Sequence, residues 1–550
     1  MASAKSSGGT NSQPSPVFAD GRPLPLTPPD GEQPAWATPP AYPPDLIVRD
    51  ADAPEPLLPE DSDLGIPVSG SSAGPARHPL VTVGDSLTMG FKSLAITDTD
   101  LSWPALLAEA LKLAPGAFTY PSYAGPADCP GLPLNLEALV RGIDASESGS
   151  PPVIRELRGL HTAIAAVGHV KNYWDHGPGS VLPAGTPAYH SNLAVYGWTV
   201  ADAYTATIGG ATTALTTQGP LDVFSPMAAH ASDRAMLRAL EGPSTGTQST
   251  VTMIDAAHAI GDDGGIDSLV IALGANNALS SAVQLRLAWT GLDDQPTVST
   301  PSDFANQLQR LHDKVTNIDA RRVIWATVPH VTIAPIAHGI GTKAAGQRYF
   351  SLYIHPWIPD GEYLPDVNPA LTAEQAWAID SAVDQYNYAI KTMVYEARIA
   401  EQPRDWHVLD LCGLLDRLAF RRYIADSTAQ PTWWATKAYQ LPPPLSALTP
   451  QPDTRFFTSN ELGRLTGGLI ALDGVHPTTI GYAILAQEVF QILRNADPTG
   501  HDPGIDFSAA LAADTLVTNP PAGLTDDLRP LHLINTVIDL VELLLGRSPS

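Results

Sequence analysis

The chain predicts an α/β fold with a central parallel sheet, and three observations carry that prediction. Short apolar runs alternate with segments of helical spacing, and strands joined by helices run parallel with both faces covered. Apolar residues make up 44% of the chain, ample for a large core. The residues able to do chemistry fall at or just beyond the ends of the apolar runs, where ligands bind in such sheets.

The elements follow in order. Residues 1–77 form a proline-rich segment, since 17 of the 53 prolines lie in the first 79 positions and apolar periodicity is weak. Stretches such as 23–29 exclude helix and central strand, so this segment is expected to be largely disordered, draped over the domain near Leu46, Ile47 and Val48. The first strand is His78 to Val83, followed by the turn Gly84-Asp85-Ser86-Leu87 and a short helix. Residues 102–111 have helical spacing behind a serine cap, and 117–120 read as a strand. Residues 121–188 are rich in Gly, Pro and aromatics and read as a loop-rich insertion over the active-site face. Further strands are expected at 192–196, 269–273, 322–328 and 406–411, with helices at about 302–318 and 372–400. After Pro477, which suits a first helical position, 478–485 continues as helix. The main domain is thus expected over 78–500. A tail, 501–550, carries an amphipathic helix at about 528–545 that packs on the domain, with dimer contact as the alternative.

Ser86 sits where an acyl-transfer nucleophile must sit, on a sharp strand-to-helix turn with backbone N–H groups beside it. A serine hydroxyl needs a base, and a histidine suits because its ordinary pKa lies near ~6.5. The segment Asp473-Gly474-Val475-His476-Pro477 supplies one. Asp473, three residues earlier, can fold back through the glycine turn to orient the ring and stabilise its charge. Two further strand ends offer donors for a tetrahedral oxyanion. One is the backbone N–H of Gly197; the other is the side-chain amide of Asn276, in Gly274-Ala275-Asn276-Asn277. The Ser86 N–H makes a third.

Together these four blocks resemble the GDSL, or SGNH, hydrolases, named for Ser, Gly, Asn and His in separated blocks. The resemblance covers about 80 to 493. It implies a flavodoxin-like three-layer α/β/α fold, with Ser86 as nucleophile, His476 as base, Asp473 as orienting acid, and Ser86, Gly197 and Asn276 as oxyanion donors. Asn277 stands where the family usually has aspartate. The interval from Ser86 to Gly197 is long, which leaves Gly125 and Gly131 as alternative donors. The implied activity is carboxylic ester hydrolysis through an acyl-enzyme, with carbohydrate deacetylation or thioester cleavage as alternatives, and an idle ligand-binding relative as the alternative of another class. Tyr173, Trp174, Tyr196 and Trp198 are the pocket candidates, the insertion acting as a lid or acyl-pocket wall.

Composition narrows the partners. A net charge of −26, from 57 acidic against 31 basic residues, repels nucleic acid and anionic membrane. The expected partner is a small-molecule or lipid ester. The tail helix is too short and polar for a membrane span. Cys129 and Cys412 allow at most one disulfide, and no Cys/His spacing suggests a metal, so no cofactor is expected. With no signal peptide visible, the expected location is cytoplasmic. Gly70-Ser71-Ser72-Ala73-Gly74 fits a nucleophile elbow in pattern but lies in proline-broken sequence, so it reads as linker. The loop 339–343 lacks the spacing of a phosphate loop.

Overall fold

The computed structural model of the chain describes residues 41–48, 53–66, 76–147, 152–217, 228–243, 249–344, 346–400, 404–497, 504–525, 528–537 and 540–545. Its centre is a four-stranded parallel sheet of β1 (His78–Gly84), β2 (Ile266–Ala272), β3 (Ala320–Ala326) and β4 (Asp405–Leu409), in the order β1-β2-β3-β4. Outside β1, Asn192 forms a parallel bridge to Thr82. The Leu193 and Val195 N–H groups donate to the Thr82 and Gly84 carbonyls. This segment therefore runs as a frayed fifth strand along the β1 edge.

Alternation along each strand feeds two cores. Val81 and Val83, Leu269 and Ile271, Val323 and Trp325, and Trp406 and Val408 share one buried cluster. That cluster is covered by α5 (Met253–Asp262), α6 (Pro301–Val315) and α7 (Ala373–Ile399). Leu80, Val270, Ala272, Ile324, Ala326 and Leu409 face the other way. They are covered by α2 (Trp103–Ala110), α8 (Leu411–Leu418) and α9 (Thr479–Ala496). Both faces are sealed, as a parallel sheet requires. The expected strand at 117–120 does not form, although the Thr119 carbonyl accepts the Ser191 and Asn192 N–H groups.

The N-terminal segment lies on the domain near Leu46 and Val48 as expected, and Leu46, Val48, Leu57 and Leu64 are buried. Specific bonds hold it there, since the Leu57 N–H donates to Asp410, the Trp433 indole N–H to the Ala53 carbonyl, and the Val408 N–H to the Ser62 carbonyl. Residues 1–40, with the serine pattern at 70–74, lie outside the described residues. The insertion is helical rather than loop-rich, built on α3 (Leu136–Glu147) and α4 (Pro152–Asp175). The helix expected at 528–545 is seen as α10 (Arg529–Val537) and α11 (Leu540–Leu545), with 538–539 outside the described residues. Leu531, Ile534, Leu540 and Leu543 are buried in the cluster that holds Val167 and Val170 of α4, so the chain covers this apolar face itself.

Candidate active site

β1 ends at Gly84, where an added Cβ would fall 2.2 Å from the Thr88 hydroxyl and 3.0 Å from the Ala272 carbonyl. Only glycine lets the chain turn so tightly against β2. Asp85 caps the next element, accepting the Leu87 N–H at 3.1 Å, and Ser86 opens the short helix α1 (Ser86–Met89; it lies between β1 and α2). Ser86 is buried, and its own N–H donates to no group among the described residues.

The second block arrives from the far end of the sequence. Residues 473–476 form a turn that only glycine closes, because Gly474 has φ +71° and a Cβ there would meet the Ile336 backbone at 2.9 Å. Asp473 Oδ1 accepts the Val475 and His476 N–H groups, each at 2.9 Å. Its Oδ2 lies 3.1 Å from His476 Nδ1 and accepts the Leu94 N–H at 3.1 Å. Ser93 and Leu94 both adopt positive φ, +48° and +61°, a strained pair that aims this N–H at the carboxylate. Burial raises the Asp473 carboxyl, but the His476 ring and these donors outweigh it, leaving it below its ordinary value. The Phe91 ring packs on the imidazole at 4.6 Å between centroids. His476 Nε2 is buried with no hydrogen-bond partner among the described residues, Ser86 Oγ included, and His476 borders the same cavity as Ser86.

The turn after the frayed strand holds Gly197 at φ +77°. The Gly197 N–H has no acceptor among the described residues. The Asn276 amide donates to the Trp198 carbonyl at 2.9 Å and, more weakly, to Asp85 Oδ2 at 3.4 Å. Asn277 points away from Ser86. It accepts the Val200 N–H at 3.1 Å and donates to Ser299 and Gln307, each at 3.0 Å. The amide thereby ties the Trp198 loop to β2 without the carboxylate expected at this position. Gly131 turns its carbonyl to the Trp174 indole, and Gly125 abuts Pro130 and Gly131. None of Gly125, Gly131, Gly197 and Asn276 borders the cavity that Ser86 shares with His476.

Asp85 was not singled out from the sequence. It is fully enclosed, and burial pushes its carboxyl up to about 7, against the lowering effect of the Leu87 N–H and the His476 charge.

The cavity itself corrects the pocket assignment. Its walls are Leu411, Leu414, Leu415 and Leu418 of α8, Ile484 and Leu485 of α9, and Leu469, Ile470 and Val475. Tyr173, Trp174, Tyr196 and Trp198 do not line it. Trp174 is a core residue, bonded to Gly131 and covered by the Arg238 guanidinium at 4.7 Å. Tyr196 packs behind the site, its ring 5.0 Å from Phe91. The leucine stripe at i, i+3, i+4 and i+7 marks an apolar helix face in the sequence but not what that face lines.

Among the described residues, one cluster outside the cavity has metal-ligand chemistry: His330, Cys412 and Asp416, all buried. His330 Nδ1 lies 2.8 Å from Asp416 and Nε2 3.1 Å from Asp384, so both ring nitrogens are engaged. Burial opposes the charge on this ring, yet the facing carboxylates and Cys412 raise its pKa well above the ordinary value. With Arg422 paired to Asp380 at 2.8 Å beside it, the cluster reads as a charge-balanced ion network. Both cysteines are free and buried. Lys343, in the loop compared above with a phosphate loop, pairs with Asp426 at 2.7 Å. No helix among the described residues is long and apolar enough to cross a membrane.

Comparison with family models, with curated proteins and with solved structures gives no match. The functional reading therefore rests on the residues themselves.

Proposed function

We propose that this chain is a serine ester hydrolase of the GDSL type, working through an acyl-enzyme. The observation that carries the proposal is the state of His476. One ring nitrogen is pinned by a buried carboxylate, while the other is buried, unpartnered and on the same cavity as Ser86. His312 and His407 also leave a buried nitrogen unpartnered among the described residues, so what sets His476 apart is the carboxylate on its other nitrogen together with the cavity it shares with Ser86. The frayed strand beside β1 gives the order Asn192 segment-β1-β2-β3-β4, which supports the flavodoxin-like arrangement.

In this reading Asp473 accepts a hydrogen bond from the Nδ1–H of His476, which holds the tautomer that leaves Nε2 as the base. Ser86 Oγ attacks the ester carbonyl as Nε2 takes its proton, and the carbonyl oxygen becomes an oxyanion. The Ser86 and Gly197 N–H groups and the Asn276 amide stabilise it, the amide giving up its long bond to Asp85. Collapse expels the alcohol, which takes the proton from Nε2. Water, deprotonated by the same nitrogen, then attacks the acyl-serine, releasing the acid and restoring Ser86.

The test is hydrolysis of p-nitrophenyl acetate by the wild type and by Ser86→Ala. A loss of about 10⁴ to 10⁶ in kcat is expected. Equal activity of the two proteins would remove Ser86 from the mechanism.

A further inference from the structure

We propose that the leucine-lined cavity beside Ser86 holds the acyl chain of the substrate, an unbranched apolar chain of about six to ten carbons, and that α8 sets its length. This rests on the ester-hydrolase reading above.

The chemistry of the walls selects the occupant. None of the residues lining the cavity is charged. Apart from Ser86 and His476, its only polar side chain is Thr454, whose hydroxyl is already spent, donating to the Leu418 carbonyl and accepting the Phe420 N–H. A sugar or other polyhydroxy group would lose its water there and gain no partner. An alkyl chain loses nothing.

Position then decides which half of an ester enters. The alcohol must leave and water must reach His476 between the two steps, so the leaving side has to be open. The acyl group stays bound to Ser86 through both steps, and an enclosed pocket suits the part that stays. The floor is made of buried core residues, Leu414, Leu469, Ile484 and Leu485, while Leu411, Leu415 and Leu418 are half-buried along its border.

Two magnitudes fix the length. The α8 stripe from Leu411 to Leu418 runs ~10 Å along the helix. An extended alkyl chain advances ~1.3 Å per carbon, given C–C bonds of ~1.5 Å, so a chain laid along this stripe spans about eight carbons.

The experiment has two arms. In the first, kcat/KM is measured for p-nitrophenyl acetate, butanoate, octanoate and palmitate with the wild type, Leu415→Trp and Leu414→Ala. The wild type should prefer octanoate to both acetate and palmitate by about tenfold or more, the discrimination that a few methylenes provide. Leu415→Trp, which fills the cavity from a half-buried position, should lower the octanoate-to-acetate ratio by about tenfold. Leu414→Ala, which deepens the floor, should raise the palmitate-to-octanoate ratio. In the second arm, octanoate is titrated calorimetrically into Ser86→Ala and into Ser86→Ala/Leu415→Trp. The first should bind and the second should not. If short esters are cleaved but the ratios stay fixed in both variants, or octanoate does not bind Ser86→Ala, the acyl assignment falls. If octanoate binds in this pattern while no ester is cleaved, the pocket stands and the hydrolase reading fails.

Discussion

Replacing Asp473 by asparagine tests the geometry around His476 more sharply than any truncation. The carboxylate takes four contacts: two backbone N–H groups on Oδ1, and the Leu94 N–H with His476 Nδ1 on Oδ2. An asparagine has one oxygen, and the better-bonded site for it is Oδ1. Its NH₂ then faces the Leu94 N–H, donor against donor, which costs about 1–3 kcal/mol for a buried unpaired group. The same NH₂ donates to Nδ1, moving the ring proton to Nε2, where the base should be. That wrong tautomer lowers kcat by about 10⁴ in serine triads, or about 5.5 kcal/mol at ~1.36 per tenfold. The assay pairs p-nitrophenyl acetate turnover with urea unfolding of the same preparation. A folded Asp473→Asn protein within tenfold of wild-type kcat would refute the tautomer argument. Unchanged stability would refute the Leu94 bond.

Four further outcomes follow from the same contacts. Asn276→Ala should lower kcat about 10²–10³ with little change in KM, because its amide serves the transition state. Asn277→Ala should act mainly on stability, losing about 1–3 kcal/mol in urea unfolding as Val200, Ser299 and Gln307 lose their partner. Asp85 binds its proton more tightly folded than unfolded, so its contribution to stability falls as pH rises from ~4 to about 7. Asp85→Asn should remove that slope, and its unfolding free energy relative to wild type should rise by a few kcal/mol between pH 4 and 8, at ~1.4 kcal/mol per unit; a parallel pH dependence in both proteins would contradict the burial argument. Trp174→Ala should cost about 3–5 kcal/mol as a core truncation and leave the preference among ester chain lengths unmoved.

How much of this was legible follows from how local each signal is. The apolar runs of β1 to β4 announce themselves, because a strand buried on both faces is apolar throughout. Ser86, and the Asp473–His476 pair, could be named because each motif is a self-contained turn, with Gly84 and Gly474 marking where a side chain cannot fit. The cavity wall was not legible, since it joins a helix after β4 to one after His476 and neither stripe declares its partner. The aromatics at 173 and 174 suggested a lid because composition cannot tell a pocket ring from a core ring. The Trp174 indole bond to Gly131 settles that difference only in three dimensions. In the N-terminal segment the apolar 46–48 mark where the chain meets the domain, but the contacts that hold its other described residues are not legible. They are single bonds to Asp410, Trp433 and Val408, which leave no pattern in sequence. Asp85 escaped notice because an aspartate before a helix reads as a cap, and its enclosure comes from residues far along the chain.

The central claim is that Ser86 is activated by His476. The most direct measurement is covalent labelling of the full chain with a fluorophosphonate, followed by mass spectrometry of the modified peptide. One adduct is expected, on Ser86, formed slowly or not at all in His476→Ala and absent in Ser86→Ala. Labelling at Ser72 or another serine, or a wild-type protein that does not react, would contradict it.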